Sequence, residues 1–189
     1  MKTFSLIFLC IFSCCIANAQ LYKTLLPSQA FNDSINIIIK DYPNNFHHIQ
    51  AAPVSTETDV DIFKSSAGLP HAVDCMVYRF HSLEDTTASW QAVFYKGENY
   101  QDALKAYKNC YRQIKKSNIA VNNERITFTG KMEEPTASIR FTVSNLKLNT
   151  KDPLFKNFYA EIELLQVYYD WEVRLNLLSR KEDTERYNY

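Results

Sequence analysis

Between Trp171 and Leu177 every second side chain is apolar. Trp171, Val173, Leu175 and Leu177 alternate with Glu172, Arg174 and Asn176. Only an extended chain sends successive side chains to opposite faces, so this stretch is a strand with one buried and one solvated face. The same reading covers Phe158 to Tyr168 just before it, with a turn at Tyr169-Asp170. A sheet with one wet face, linked by short turns, is antiparallel.

Further strands follow from the same rule. Phe46 to Gln50 reads as a short strand. Val54, Thr56, Thr58, Val60 and Ile62 alternate with Ser55, Glu57, Asp59 and Asp61, which predicts one half-buried strand over 54–62. Residues 72–81 and 88–95 predict a hairpin joined across Glu84 to Thr87. Glu124 to Thr129 and Ala137 to Ser144 predict another pair.

Two segments break the period of two. Over 28–42, Phe31, Ile35, Ile38, Ile39 and Tyr42 recur at helical spacing, Ser28 is a fitting N-cap, and Pro43 stops the helix. Over 99–117, Asn99 is the cap, and Ala103, Tyr107, Cys110 and Ile114 form a stripe. Lys105, Lys108, Arg112, Lys115 and Lys116 occupy other faces and read as solvated.

The predicted class is α+β, an antiparallel sheet of about seven or eight strands covered on one face by two helices, in the order α-β-β-β-β-α-β-β-β-β. Phe31-Asn32-Asp33-Ser34-Ile35 also resembles Tyr100-Gln101-Asp102-Ala103-Leu104, 69 positions on. Either an α-β4 unit is duplicated, or both segments obey the same rules for starting a helix.

The first nineteen residues read as a cleaved secretory signal. Lys2 precedes an apolar run from Phe4 to Ile16, and Ala17-Asn18-Ala19 is a small-x-small cleavage site. The run is shorter than the roughly 20 residues a membrane span needs. Lipid attachment at Cys14 is the competing reading, disfavoured by the bulky Phe12 before it. The expected organisation is a signal over 1–19, one α+β domain over 20–180 and a flexible polar tail over 181–189. The expected location is periplasmic or extracellular, in a Gram-negative bacterium, with no transmembrane segment in the mature chain.

Lys2 is the only charged residue of the signal, so residues 20–189 carry 20 basic and 21 acidic side chains. That balance argues against nucleic acid, which selects a basic stripe. The whole chain has only three glycines, Gly68, Gly97 and Gly130. No glycine-rich loop exists to cradle a phosphate, and no cofactor is expected.

Cys75 and Cys110 are the cysteines left after the signal. Export permits a disulfide between them; two buried free thiols are the alternative. The histidines predict no metal site. His47 and His48 point to opposite faces of a strand, and His71 and His81 are far apart along one. Asp59/Asp61 and Glu161/Glu163 each place two carboxylates on one strand face, but an alternating polar face produces such pairs by default. Asn32-Asp33-Ser34 is a glycosylation sequon inside a predicted helix and reads as chance. No catalytic residues are expected.

The aromatics remain. Tyr78, Trp90, Tyr95, Tyr159, Tyr169 and Trp171 are candidates to line a cleft on one sheet face. The function expected is that of an exported, non-catalytic binding or interaction module with a protein or small-molecule partner. Two alternatives stand beside it: a periplasmic carrier of a small apolar or aromatic ligand, and a hydrolase assembled from scattered Asp, Glu and His.

Overall fold

The structure, a computed structural model, describes residues 26–83, 86–121 and 124–180. The expected signal and polar tail lie outside these residues.

Helix α1 spans Gln29–Asp41 and begins where predicted, with Ser28 Oγ accepting from the amide of Phe31 at 3.1 Å. Helix α2 spans Tyr100–Lys116, and Asn99 Oδ1 accepts from the amides of Gln101 (2.8 Å) and Asp102 (3.2 Å). These caps satisfy amides that the first helical turn leaves unpaired. The buried stripes are Phe31, Ile35, Ile38 and Ile39 in α1 and Ala103, Tyr107, Cys110 and Tyr111 in α2, at a constant separation of 72 positions. The likeness at 69 positions therefore sets buried Ile35 against half-buried Leu104 and does not superpose the two burial patterns.

Ten strands follow: β1 Gln50–Thr56, β2 Val60–Ser65, β3 Asp74–Phe80, β4 Ala88–Gly97, β5 Ile119–Val121, β6 Glu124–Ile126, β7 Phe128–Thr129, β8 Phe141–Leu148, β9 Phe158–Val167 and β10 Asp170–Ser179. Eight of them form one sheet in the order β1-β2-β3-β4-β10-β9-β8-β7, and β5–β6 is a separate hairpin. All pairings are antiparallel. The sheet is thus two four-stranded meanders joined through their last strands, β4 against β10. The predicted class and arrangement hold.

Four local readings are corrected. Residues 46–49 are not a strand. Asn45 and Phe46 adopt left-handed backbone (φ 51° and 55°), and the Asp41 carboxylate accepts from the amides of His48 (2.9 Å) and Ile49 (3.2 Å). A side chain there takes the donors that a sheet ladder would have used. Residues 54–62 are two strands, because Glu57 N donates to Val60 O (2.9 Å) and turns the chain. Residues 124–129 divide between the β5–β6 hairpin and the main sheet. The strand expected at 137–144 starts at Phe141 and runs to Leu148.

The core lies between the helices and one sheet face. Val77, Trp90, Leu177 and Ala160 form one row across four strands; Ala92, Leu175 and Ile162 form the next. All seven are buried. Each large apolar side chain withdrawn from water contributes roughly 1.5–3 kcal/mol. Trp90 Nε1 is satisfied by Ser65 Oγ at 2.9 Å. No helix among the described residues is long and apolar enough to cross a membrane.

Candidate functional site

The second face of the sheet has no helix over it among the described residues. Its make-up follows from the register. Phe141, Leu165, Glu172 and Lys96 form one row across β8, β9, β10 and β4. Val143, Glu163, Arg174, Val93 and Asp74 form the next, and Asn145, Glu161, Asn176, Gln91, Met76 and Lys64 the third. Cross-strand neighbours on one face are close enough to interact; here Glu172 sits opposite Lys96, Glu163 opposite Arg174, and Glu161 between the carboxamides of Asn145 and Asn176.

A depression of about 300 Å³ opens on this face, lined by Val73, Asp74, Met76, Tyr78, Gln91, Val93, Lys96, Glu172 and Arg174. At its centre Glu172 is only 5% exposed. Its Oε2 accepts from Arg174 Nε (2.9 Å) and Nη2 (2.5 Å), and its Oε1 lies 3.1 Å from Lys96 Nζ. Burial alone would raise the Glu172 pKa. The hydrogen bonds from Arg174 and Lys96 outweigh it and hold the carboxyl below its ordinary range. Beside this triad, Tyr78 Oη donates to Gln91 Oε1 (3.1 Å), and Gln91 Nε2 donates to Asn176 Oδ1 (2.8 Å). Lys64 Nζ binds both Asp74 oxygens at 2.9 Å. These polar groups are fixed by one another. They can recognise a partner without rearranging, and the ionised Glu172 is suited to holding charge rather than exchanging a proton near neutral pH.

The six candidate aromatics do not converge. Tyr78 and Tyr159 are on the open face, on β3 and β9, about 14 Å apart by strand spacing. Trp90 is buried beneath the helices, Trp171 faces them with its ring 5.0 Å from that of Tyr100, and Tyr95 packs against the same core. Tyr169 stands 88% exposed at the β9–β10 hairpin tip. The reason for Tyr95 is a bulge. Arg174 pairs with Val93 but Val173 pairs with Tyr95, so Phe94 is extra and Tyr95 turns to the helix side.

Cys75 and Cys110 are free thiols, so the disulfide reading does not describe this structure. Cys110 is buried in α2, and burial raises the pKa of both. Asp59 lies in the β1–β2 turn, and Asp61 has His81 Nε2 at 3.8 Å. Glu161 and Glu163 do share the open face. Burial pushes the Glu161 pKa up, against the pull of Arg180, whose Nη1 lies 3.2 Å away. No cluster of three or more metal-ligating side chains exists among the described residues.

The residues that build the depression were half legible. The alternation of β10 placed Glu172, Arg174 and Asn176 together. Their cross-strand partners Lys96 and Gln91, and Asp74 one strand further on, required the register. No family model, curated protein or solved structure matches the chain.

Proposed function

We propose that this chain is an exported, non-catalytic binding protein that engages its partner through the uncovered face of the eight-stranded sheet. The observation that carries this reading is Glu172, a buried carboxylate on the face that no helix among the described residues covers, clamped between Arg174 and Lys96 inside the depression. Such a preformed, half-desolvated polar centre lowers the ordering cost of association. Around it are residue types enriched at interface cores, namely Arg174, Tyr78, Met76, Tyr159 and the exposed Phe141.

A protein partner fits this surface better than a small apolar ligand does. Its lining carries the charges of Asp74, Lys96, Glu172 and Arg174, and Tyr78 is the only aromatic among the described lining residues. The export half of the proposal rests on the leader-like first nineteen residues.

The test is affinity capture from the extracytoplasmic fraction of the source cell, with three baits. The wild type and Arg112→Gln, altered on the helix layer, should retain the same partner. Phe141→Glu combined with Tyr159→Glu should lose it. Equal capture by all three baits would place the partner elsewhere.

A further inference from the structure

The second site lies on the opposite layer. We propose that the groove between α2 and the segment after β7 binds a single anionic amphiphile, its head group at Arg112 and Lys115 and its alkyl chain against Tyr111 and Met132. This goes beyond the open-face reading and does not depend on it.

Charge is the first argument. The chain has 21 basic and 21 acidic residues, yet α2 carries Lys105, Lys108, Arg112, Lys115 and Lys116 against the single acid Asp102. Net balance therefore conceals a local excess. Asp102 is already engaged with Lys105, at 3.7 Å.

Those cations border a groove with an apolar floor. The groove, of about 400 Å³, is lined by Lys108, Tyr111, Arg112, Lys115, Lys116 and Met132. Lys115 Nζ donates to Tyr111 Oη (3.0 Å) and to Gly130 O (3.1 Å) and sits 5.4 Å from the centre of the Tyr111 ring. Each of these partners is neutral, and among the described residues no carboxylate pairs with the ammonium. Arg112 makes no hydrogen bond or ion pair with a described residue. Lys108 has Glu134 at 3.1 Å.

The wall facing α2 is anchored to the sheet and to the helix. A Cβ on Gly130 would fall 2.3 Å from Asn145 O, so the chain is pressed onto β8 at a point only glycine fits. Three residues on, Glu133 N donates to Ser144 Oγ (2.8 Å) and Tyr107 Oη donates to Glu133 O (3.1 Å). The groove is thus built from both sides, a cationic rim over an apolar floor.

That arrangement selects the ligand. An apolar floor gives a bare phosphate nothing beyond charge, and a cationic rim gives an uncharged chain nothing to orient it. The volume falls in the range of roughly 300–1,000 Å³ typical of small-ligand sites. A bilayer is a poorer fit, because surface-bound helices push apolar side chains outward into lipid. Here Tyr111 is 8% exposed, recessed beneath the cations.

The test is calorimetric titration of the mature chain with decyl phosphate below its micelle-forming concentration. Saturable 1:1 binding is expected, weakened at least tenfold by Arg112→Gln with Lys115→Gln and by Met132→Asp, and unchanged by Lys105→Gln. Decyl maltoside, with the same tail and no charge, should not bind, and equimolar inorganic phosphate should not compete. Should the Lys115 change unfold the chain, judged by circular dichroism, Arg112→Gln alone keeps the test, because Arg112 makes no hydrogen bond or ion pair with a described residue; at least threefold weakening is expected. Absence of binding, equal binding by the Arg112 variants, or equal binding of decyl maltoside would overturn the proposal. So would binding confined to phosphatidylglycerol vesicles, which would mark a bilayer surface instead.

Discussion

Tyr107 Oη and Ser144 Oγ lie 2.5 Å apart in a buried contact that ties the middle of α2 to β8. The same serine accepts from Glu133 N, and the same tyrosine donates to Glu133 O. Three groups far apart in sequence thus satisfy one another, and the irregular stretch between β7 and β8 is fastened across the helix. Neither hydroxyl announces this in the sequence, where Tyr107 reads as one more member of an apolar stripe.

Removing the phenol tests that fastening. Tyr107→Phe should cost about 1–2 kcal/mol at pH 7 in urea unfolding, the usual range for a hydrogen bond whose partner stays buried. Burial pushes the Tyr107 pKa up to about 12, against the pull of its bond to Ser144. The unfolded phenol ionises first, near its ordinary value of about 10, so the residue's contribution is intact below that pH and is lost between about 10 and 12. The stability gap between wild type and Tyr107→Phe should therefore close over that window. A gap independent of pH would show that the hydroxyl is not buried.

Glu172 predicts the opposite pH dependence. Burial raises its pKa, but the bonds from Arg174 and Lys96 outweigh burial and leave the folded carboxyl below its ordinary value. Its contribution is present above the unfolded carboxyl pKa of about 4.3 and is lost as pH falls through the folded value. Glu172→Gln should cost about 1–3 kcal/mol at neutral pH, the scale of hydrogen bonds to charged groups. The cost should shrink as the solution is acidified. Urea unfolding of both proteins from pH 7 to pH 3 measures it, and a cost that grows with acid would contradict the clamp.

The cysteines make a chemical prediction. Cys75 and Cys110 are separate thiols, and burial keeps both protonated at neutral pH. Iodoacetamide should modify Cys75 slowly and Cys110 only on unfolding, and reductant should leave the melting temperature unchanged. A denatured mass two hydrogens light, with a melting temperature that drops in reductant, would establish the bridge instead.

Period and capping made the architecture readable. Ser28 and Asn99 marked both helix starts, and the strict alternation of β10 identified its two faces. Side chains acting on the backbone hid the rest. Asp41 gathers amides from His48 and Ile49 and turns an apparent strand into a loop. The 54–62 alternation runs on through the turn in the sequence, but the register pairs Ser55 with Ile62 and Thr56 with Asp61, so odd and even positions exchange faces there. The candidate cleft failed for a related reason. Parity sorts residues within one strand, but neighbouring strands are aligned only by register, and the bulge in β4 sends Tyr95 to the helix side. Sequence therefore yielded the polar row of β10 but gathered into one cleft aromatics that the register separates.

The most direct test of the open-face account is hydroxyl-radical footprinting of the protein, once in its native extract and once purified. The account predicts protection in the extract at Met76, Tyr78, Phe141 and Tyr159, the readily oxidised side chains of the uncovered face. Tyr100, on the helix side and outside the α2 groove, should be oxidised equally in both samples. Protection confined to the helix side, or none on the sheet face, would contradict it.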